Sequence, residues 1–364
     1  MKIDLNRRGF LAASLASGAV MAGGSALAAG RAAGEGLPPR FTPLSRMDGT
    51  ATPTDLCFAP AGMRPAAGPR AVAVAGRRLS LDTLGRAPQR RANVVLELAG
   101  NGADRALRAG DCDLALGQMH AADWRGVALT QVLDLSVADP DQSVLVHGLD
   151  GTVSLPVWKA ADDVLLGLAM NDAPVNDWHG GPVRLVVPGW EGAMWMRGVR
   201  SVELSSDPWQ PSVASGKVTD GLHPRRGGRW AHRLGVNSVI TAPSRVQALS
   251  RGRTELTGLA WTGTGTVAAV DVSVDGGQHW QAARLDPSRN RGAIQRFRLT
   301  FQWDGGTMTL ASRATDTSGA TQPTGDSPLL ASAWAAGRHV NAIQTWAVAP
   351  DGRVIPHSFQ RGEA

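Results

Sequence analysis

The part of the chain after residue 239 alternates apolar and polar residues in short runs that end at Asp-Gly turns. One run, Val267–Val274, ends at Asp275-Gly276-Gly277, and another, Phe297–Trp303, ends at Asp304-Gly305-Gly306. Each is followed by a second run, which is His279–Leu285 in the first case and Thr307–Arg313 in the second. Period-two alternation is typical of half-buried strands, and Asp-Gly is a strong hairpin signal. The pattern predicts two hairpins within an all-β sandwich.

Before this region, between Arg70 and about Ser205, short β-rich runs alternate with helical ones. Residues 127–133 have helical spacing of apolar residues, and residues 206–238 are a Pro/Gly/Arg-rich connector. The predicted strands are Val72–Ala75, Val94–Leu98 and Val183–Val187, the last of them buried. Mixed elements followed by strands alone predict an α+β chain with two domains, and 364 residues suffice for two cores.

The N-terminus has the composition of an export signal. Arg7-Arg8-Gly9-Phe10-Leu11 precedes a weakly apolar run that ends at Ala26-Leu27-Ala28. Paired arginines before an apolar run and a small-residue cleavage site indicate a twin-arginine signal peptide, which exports folded proteins. We therefore expect a periplasmic mature protein. No later stretch reaches the roughly 18 apolar residues that a membrane span needs, so none is predicted in the mature chain.

Charge and cysteine content exclude several classes of protein. The formal net charge is +6, but the arginines are scattered, so no nucleic-acid-binding stripe is indicated. The two cysteines, Cys57 and Cys112, exclude a disulfide scaffold. No P-loop, GxGxxG, HExxH or nucleophile motif indicates another chemistry.

Several motifs resemble those of the sulfite oxidase family of molybdopterin oxidoreductases. Met170–Pro174 and His179–Gly189 are similar to the family's central signature, and Trp190-Glu191-Gly192 is similar to the version in the molybdenum subunit of Sox sulfane dehydrogenases. Asp123–Val127 resembles the start of the helix that follows the active-site loop. Four further blocks resemble the family's dimerisation domain, namely Gly258–Gly263, Asp275–Trp280, Ser312–Asp316 and Asn341–Trp346. The resemblance covers roughly residues 70–350.

The resemblance implies a sulfite-oxidase-type molybdopterin-binding domain followed by an immunoglobulin-like dimerisation domain. With the sequence patterns, it predicts a signal peptide at 1–28, an extended arm at 29–69, the first domain at 70–238, the second at 239–354 and a tail at 355–364. It also implies a homodimer or heterodimer and a c-type cytochrome as electron-transfer partner, because the chain has no haem motif of its own.

Three basic residues are the candidate cofactor ligands that the resemblance implies. Molybdopterin carries a phosphate and a hydrogen-bonding pterin, so its site needs fixed cations and polar groups. Arg184 offers a planar fork that matches phosphate, and His179 can present a ring nitrogen to the pterin. Arg197 stands where the family usually has a lysine.

The metal-ligand position departs from the family pattern. The family's cysteine thiolate ends a strand in a Cys-Ala-Gly-Asn or Cys-Ser-Gly-Asn motif, whereas this chain reads Leu96-Glu97-Leu98-Ala99-Gly100-Asn101. Leucine cannot coordinate a metal, so no metal ligand and no catalytic residue is assigned from the sequence. The family's active-site tyrosine is also missing, because the chain has no tyrosine. Cys112 lies between two aspartates that disfavour its thiolate, which argues against it as a replacement ligand.

These observations leave three interpretations open, and with them the question of whether the chain is an enzyme. The first is a periplasmic sulfite or sulfane dehydrogenase with molybdopterin. The second is a non-catalytic paralogue that keeps the fold for partner binding. The third is an altered enzyme that binds molybdopterin without a thiolate ligand.

Overall fold

The computed structural model describes residues 38–47, 51–60, 63–98, 101, 116–209, 232–244, 248–288, 290–325 and 339–357. Within these ranges the chain is mostly β-structure with a few short helices, built around two main hydrophobic cores. The predicted fold class, an α+β part followed by an all-β sandwich, is confirmed. The predicted signal peptide lies outside the described residues. No helix in the described part of the chain is long and apolar enough to cross a membrane.

The described residues of the first part of the chain form two sheets and three short α-helices. In chain order its described strands are β1 (Ala71–Val74), β2 (Arg77–Ser80), β3 (Arg90–Glu97), β4 (Met119–Ala128), β5 (Gln142–Gly148), β6 (Gly151–Pro156), β7 (Leu165–Met170), β8 (Ala173–Pro174), β9 (Arg184–Val186) and β10 (Ser201–Pro208). The helices are α1 (Leu81–Arg86), α2 (Leu129–Val132) and α3 (Val157–Asp162). One sheet has the order β2-β1-β10-β5-β6; the other has the order β3-β4-β7-β8, with β9 also paired to β7.

The second part forms the predicted sandwich. Its described strands are β11 (Asn237–Ala242), β12 (Gly252–Trp261), β13 (Val267–Ser273), β14 (Gln281–Ala282), β15 (Arg284–Leu285), β16 (Gln295–Trp303), β17 (Met308–Asp316), β18 (Thr345–Val348) and β19 (Val354–His357). The sheets β11-β12-β16-β15 and β14-β13-β17-β18-β19 bury their inner faces in one core. That core contains large side chains from both sheets, including Trp261, Phe297 and Trp346.

The prediction of two hairpins is only partly right. β13 pairs with β14, but β14 is two residues long, and the chain then moves to the other sheet as β15. The second predicted hairpin is wrong: β16 pairs with β12 and β15, while β17 pairs with β13 and β18. The turn at Asp304-Gly305-Gly306 therefore connects the two sheets. The same turn can join neighbouring strands of one sheet or strands of two sheets. The strand edges that are available in the sandwich decide which of the two pairings forms.

The predicted helix over 127–133 is shorter in the structure, where α2 spans Leu129–Val132. Its expected first turn belongs to β4, because Val127 and Ala128 pair with Leu166 and Leu165 of β7. Tertiary pairing thus overrides the helical spacing. The predicted strands near Val72, Val94 and Val183 are confirmed as β1, β3 and β9. The predicted connector is bounded by β10 and β11, and its residues 210–231 lie outside the described ranges.

The close pairing of β4 with β7 gives a steric prediction at Gly126. A Cβ at this position would lie 2.1 Å from the backbone oxygen of Leu166. We expect Gly126→Ala to lower the free energy of unfolding by about 1–3 kcal/mol, because the backbone atoms that it meets cannot rotate away. Urea unfolding monitored by tryptophan fluorescence measures this loss.

The matched control is Gly85→Ala in the exposed helix α1, where a Cβ would meet nothing within 4 Å. This change should be neutral, or stabilising by about 0.5–1 kcal/mol, since alanine loses less backbone entropy in a helix. Equal losses in the two variants would contradict the predicted clash.

Candidate functional site

The candidate site is a cavity in the first part of the chain, at the ends of β3 and β9. Its wall includes Leu98, His179, Arg184 and Arg197. All three basic residues that the sequence singled out therefore lie around one cavity, together with the leucine at the metal-ligand position. Their role in binding a cofactor stays a prediction.

The backbone around position 98 is held by Gln118, the residue before β4, and by Asn101. The Leu98 N–H donates to the Gln118 carbonyl at 3.1 Å, and the Asn101 N–H donates to the Leu98 carbonyl at 3.0 Å. The Asn101 side chain accepts from the Gln118 N–H at 2.9 Å and donates to Glu97 at 2.9 Å. The turn after β3 is thus fixed by hydrogen bonds, and it presents the Leu98 side chain to the cavity.

Arg184 is a buried cation. Its residue surface is 7% exposed, and one amino group donates to the His179 carbonyl at 2.7 Å. The guanidinium carbon lies 5.8 Å from the ring centre of Trp124 and 5.9 Å from that of Trp195. Burial, followed by the charge of Arg197, lowers its pKa to about 10, so it stays charged at neutral pH. Among the described residues no carboxylate forms an ion pair with it, and its Nε has no hydrogen-bond partner.

His179 lies at the end of a short 3-10 helix, Asp177–His179, that Asn176 caps. Its backbone carbonyl accepts the hydrogen bond from Arg184 described above, so the two candidate residues are in direct contact. Burial, and then the nearby Arg184, lowers the pKa of its imidazole to about 4, against an opposing hydrogen bond with the Thr54 backbone. The imidazole is therefore neutral near pH 7 and can donate or accept a hydrogen bond.

Arg197 differs from Arg184 because it has an acidic partner. It forms a two-pronged ion pair with Asp150, at 2.8 Å from Nε and 2.6 Å from the second amino group. Gly180, with φ of 85°, gives it space, since a Cβ there would lie 2.6 Å from the Arg197 Cγ. Because its charge is already paired, Arg197 is the weaker anion site of the two.

His120 is a site residue that the sequence reasoning missed. It lies on β4, lines the cavity and is 1% exposed, and among the described residues neither ring nitrogen has a hydrogen-bond partner. Burial lowers its pKa well below its ordinary value, with smaller effects from His179 and Arg184. His120 directly precedes Ala121-Ala122 and lies in no motif, so the sequence offered no signal for it. The run Asp123–Val127 was interpreted as the start of a helix, whereas the structure places it within a buried strand.

The two cysteines do not provide a metal ligand in the described structure. Cys57 is fully buried, and its thiol donates to the Thr52 and Pro53 carbonyls at 3.7 and 3.5 Å. Burial, followed by the Asp55 charge, raises its pKa far above the ordinary value, so it is a neutral thiol. Cys112 lies outside the described residues. Within the described ranges no group of three or more His, Cys, Asp or Glu side chains is arranged to hold a metal ion.

A buried polar network joins the site to the sandwich. Glu97, which precedes the ligand position, is 0% exposed and accepts a hydrogen bond from Trp261 Nε1 at 2.7 Å. Its second oxygen accepts from Asn101. Burial raises the pKa of Glu97, and His339, whose Nδ1 lies 3.7 Å from the carboxylate, opposes that rise. Glu191 accepts from the His339 N–H at 2.8 Å, so both buried carboxylates are held by the second part of the chain.

The residues present fit the organic part of a molybdopterin cofactor. The buried cation of Arg184, which no carboxylate in the described ranges pairs, suits a phosphate, and the imidazoles of His120 and His179 suit the polar groups of a pterin. The residue at position 98 does not fit the metal part, because its side chain is a hydrocarbon.

Comparisons with known proteins agree with this arrangement. Residues 72–213 match the family described as "Oxidoreductase molybdopterin binding domain", and residues 228–343 match the "Mo-co oxidoreductase dimerisation domain". The crystal structure of the sulfane dehydrogenase SoxCD from Paracoccus pantotrophus is similar, with a TM-score of 0.76 and 31% identity. The match covers 88% of this chain and 86% of that chain.

Sulfite oxidases are among the curated proteins that this chain resembles. Mitochondrial sulfite oxidase of Homo sapiens is 34% identical over 254 residues, which are 62% of this chain and 45% of that protein. Sulfite oxidase of Gallus gallus is 31% identical over 300 residues, which are 71% of this chain and 65% of that protein. The chain thus spans less than half the length of the mammalian relatives. The two matched domains in order, the structural similarity over most of the chain and the cavity at the end of β3 lead to one conclusion: the chain belongs to the sulfite oxidase family of molybdopterin oxidoreductases.

Proposed function

We propose that this chain is a molybdopterin-dependent oxidoreductase that oxidises sulfite or a sulfane sulfur anion. The observation that carries the proposal is Arg184, a buried cation without an ion-paired carboxylate in the described structure, at a cavity that neutral imidazoles also line. A fold rarely buries an unpaired charge unless a ligand compensates it. The family's cofactor supplies a phosphate anion for this purpose.

The protein's own residues would bind and orient the cofactor. Arg184 holds the anionic group through its planar donors, and the neighbouring tryptophan rings keep the guanidinium in one orientation. His179, neutral near pH 7, contacts the pterin without adding a second positive charge. When bound, the molybdenum cofactor supplies two-electron oxidation with transfer of an oxygen atom. Buried apolar residues around the cavity keep bulk water away from that reaction.

The location and partners are part of the same proposal. The paired arginines at 7 and 8 support export of the folded, loaded protein to the periplasm, since this cofactor is inserted before export. The chain carries no haem-binding motif, so a c-type cytochrome receives the electrons one at a time. The matched dimerisation domain supports assembly as a homodimer or with that cytochrome.

One observation favours a second candidate function. Leu98 stands where the family has its cysteine ligand, and this replacement suits a non-catalytic member that binds a partner through the retained fold. Such a protein would keep the hydrogen-bonded turn after β3 without holding a metal there.

The experiment is to purify the exported protein from a host that makes molybdopterin and to measure its pterin and molybdenum. We expect stoichiometric pterin, with sulfite- or thiosulfate-dependent reduction of a c-type cytochrome. The control is the same protein from a host that lacks molybdopterin synthesis, which should contain no pterin and reduce no cytochrome. Folded protein without pterin from the competent host would support the non-catalytic candidate instead.

A further inference from the structure

Leu98 is packed into the wall of the cavity. It contacts the main core of the first part of the chain, and a Cβ at Gly192 would lie 2.8 Å from its Cδ2 atom. Gly192 lines the same cavity, so the two residues close the wall together beside the end of β3. Hydrogen bonds from Leu98 to Gln118 and from Asn101 to Leu98 hold its backbone. The wall therefore presents a fixed hydrocarbon where the family has its thiolate.

The described wall offers no metal site. A hydrocarbon cannot coordinate, and within the described ranges no group of three or more His, Cys, Asp or Glu side chains is arranged to hold a metal ion. Cys57, the one cysteine among the described residues, is fully buried and donates its thiol to backbone carbonyls. A charged metal centre against Leu98 would lose its solvation without compensation. The part of the chain that the structure describes thus gives a metal no favourable contact.

The charges around the cavity favour an organic anion instead. Its described lining includes Arg197 and Asp150, which pair with each other at 2.6 Å, and Arg184, which has no ion-paired carboxylate among the described residues. Burial lowers the pKa of His179 to about 4, so this neighbour adds no charge at neutral pH. One net positive charge therefore remains, on a side chain that is only 7% exposed. A phosphate compensates such a charge.

Aromatic rings beside this cation suit the pterin itself. Phe58, Trp178 and Trp195 line the same cavity. The guanidinium carbon of Arg184 lies 5.9 Å from the ring centre of Trp195, so the cation and a ring adjoin. Aromatic side chains pack favourably against flat ring systems. Both the ionic and the ring contacts that the cavity offers are thus suited to the organic part of the cofactor.

We propose that this cavity binds molybdopterin wholly through its organic part and therefore retains the metal-free form as well as the metal-loaded form. This rests on the proposed function, because it requires a molybdopterin in the cavity. Arg184 holds the phosphate, the aromatic rings hold the pterin, and Leu98 contributes apolar contact alone. The metal of a loaded cofactor gains no bond to the protein, and its only bonds are to the cofactor itself.

The test compares the full chain from three hosts. The first makes molybdopterin and is supplied with molybdate, the second makes molybdopterin but takes up no molybdate, and the third makes no molybdopterin. Pterin is measured by the fluorescence of its oxidised form and molybdenum by mass spectrometry, each per folded protein. Loss of pterin during extended dialysis gives the rate of release.

Leu98→Cys and Leu98→Ser are the matched variants. Both shorten the side chain by a similar amount, but only cysteine supplies a soft thiolate donor. The melting temperature of each variant shows whether it folds like the wild-type protein. A difference between the two variants therefore reports a metal bond and not a change of size.

The wild-type protein should contain the same amount of pterin, within about 2-fold, with and without molybdate, and should release it at the same rate. In Leu98→Cys, molybdate should slow the release by about 10-fold or more, because a metal–sulfur bond then joins the cofactor to the protein. In Leu98→Ser, molybdate should leave the rate of release unchanged. Protein from the third host should contain no pterin.

Two results would overturn this inference while leaving the proposed function intact. They are wild-type protein that retains pterin only when molybdate is supplied, and release that molybdate slows equally in the wild type and in Leu98→Cys. Folded wild-type protein without pterin from both molybdopterin-producing hosts would overturn the proposed function, and this inference with it. The comparison of the wild type between hosts needs no variant, so it decides the matter even if Leu98→Cys does not fold.

Discussion

Arg184→Met should remove the cofactor while leaving the apoprotein at least as stable as the wild type. Loss of a buried charge-assisted contact with an anion weakens binding by about 2–5 kcal/mol, which is more than about 30-fold. The stability of the apoprotein should not fall, because the guanidinium is a buried charge without an ion-paired carboxylate among the described residues. An apolar methionine side chain beside Trp124 and Trp195 avoids the desolvation penalty of the guanidinium.

The measurement combines pterin content with the melting temperature of protein from a molybdopterin-deficient host. Arg197→Met is the matched control, because Arg197 is already paired with Asp150. This control should keep more of the cofactor than the Arg184 variant. If Arg184→Met retained pterin at the wild-type level, the cation would have no role in holding it. If the apoprotein melted much lower, Arg184 would be a structural residue.

Glu97→Ala should destabilise the protein strongly, because Glu97 connects the candidate site to the sandwich. Its carboxylate accepts from Asn101 at 2.9 Å and from Trp261 at 2.7 Å, with no exposure to solvent. Truncation leaves two buried donors without acceptors, which costs about 1–3 kcal/mol for each, or about 2–6 kcal/mol together. The space left behind adds to this loss. Urea unfolding at pH 7 measures the loss.

Two further variants make this prediction specific. Glu97→Gln keeps the shape and one acceptor, so we expect it to lose about 1–3 kcal/mol, less than alanine does. Glu255→Ala changes an exposed glutamate on β12 and should stay within about 0.5 kcal/mol of the wild type. Similar losses for Glu97→Ala and Glu255→Ala would contradict a structural role for the buried network.

Much of the fold could be predicted because its patterns are local. Alternation and Asp-Gly turns indicated the sandwich, and the apolar run at Val183–Val187 indicated the buried strand β9. The pairing of β16 and β17 could not be predicted, because a turn of the same residues can join neighbours in one sheet or strands in two sheets. The helix after β4 was predicted too long because the edge of β7 captured its first residues.

The candidate site was predictable only in part, for a similar reason. His179 and Arg184 stand out because they lie five residues apart in a recognisable motif. His120 lies 59 residues before His179 and in no motif, and only the pairing of β3 with β4 places it beside position 98. The sequence also could not predict that Arg184 and Arg197 differ. Only the structure shows that Asp150 forms an ion pair with Arg197.

Sequence alone indicates the family, the order of the two domains, the expected export signal and the absence of a thiolate at position 98. These depend on residue identity and short-range spacing, which the chain carries directly. Only the folded structure shows which strands pair and that the following domain holds Glu97 and Glu191. It also places beside Leu98 an imidazole that has no hydrogen-bond partner in the described part of the chain. Those features arise from contacts between residues far apart in the chain, and they exist only when long-range packing brings the segments together.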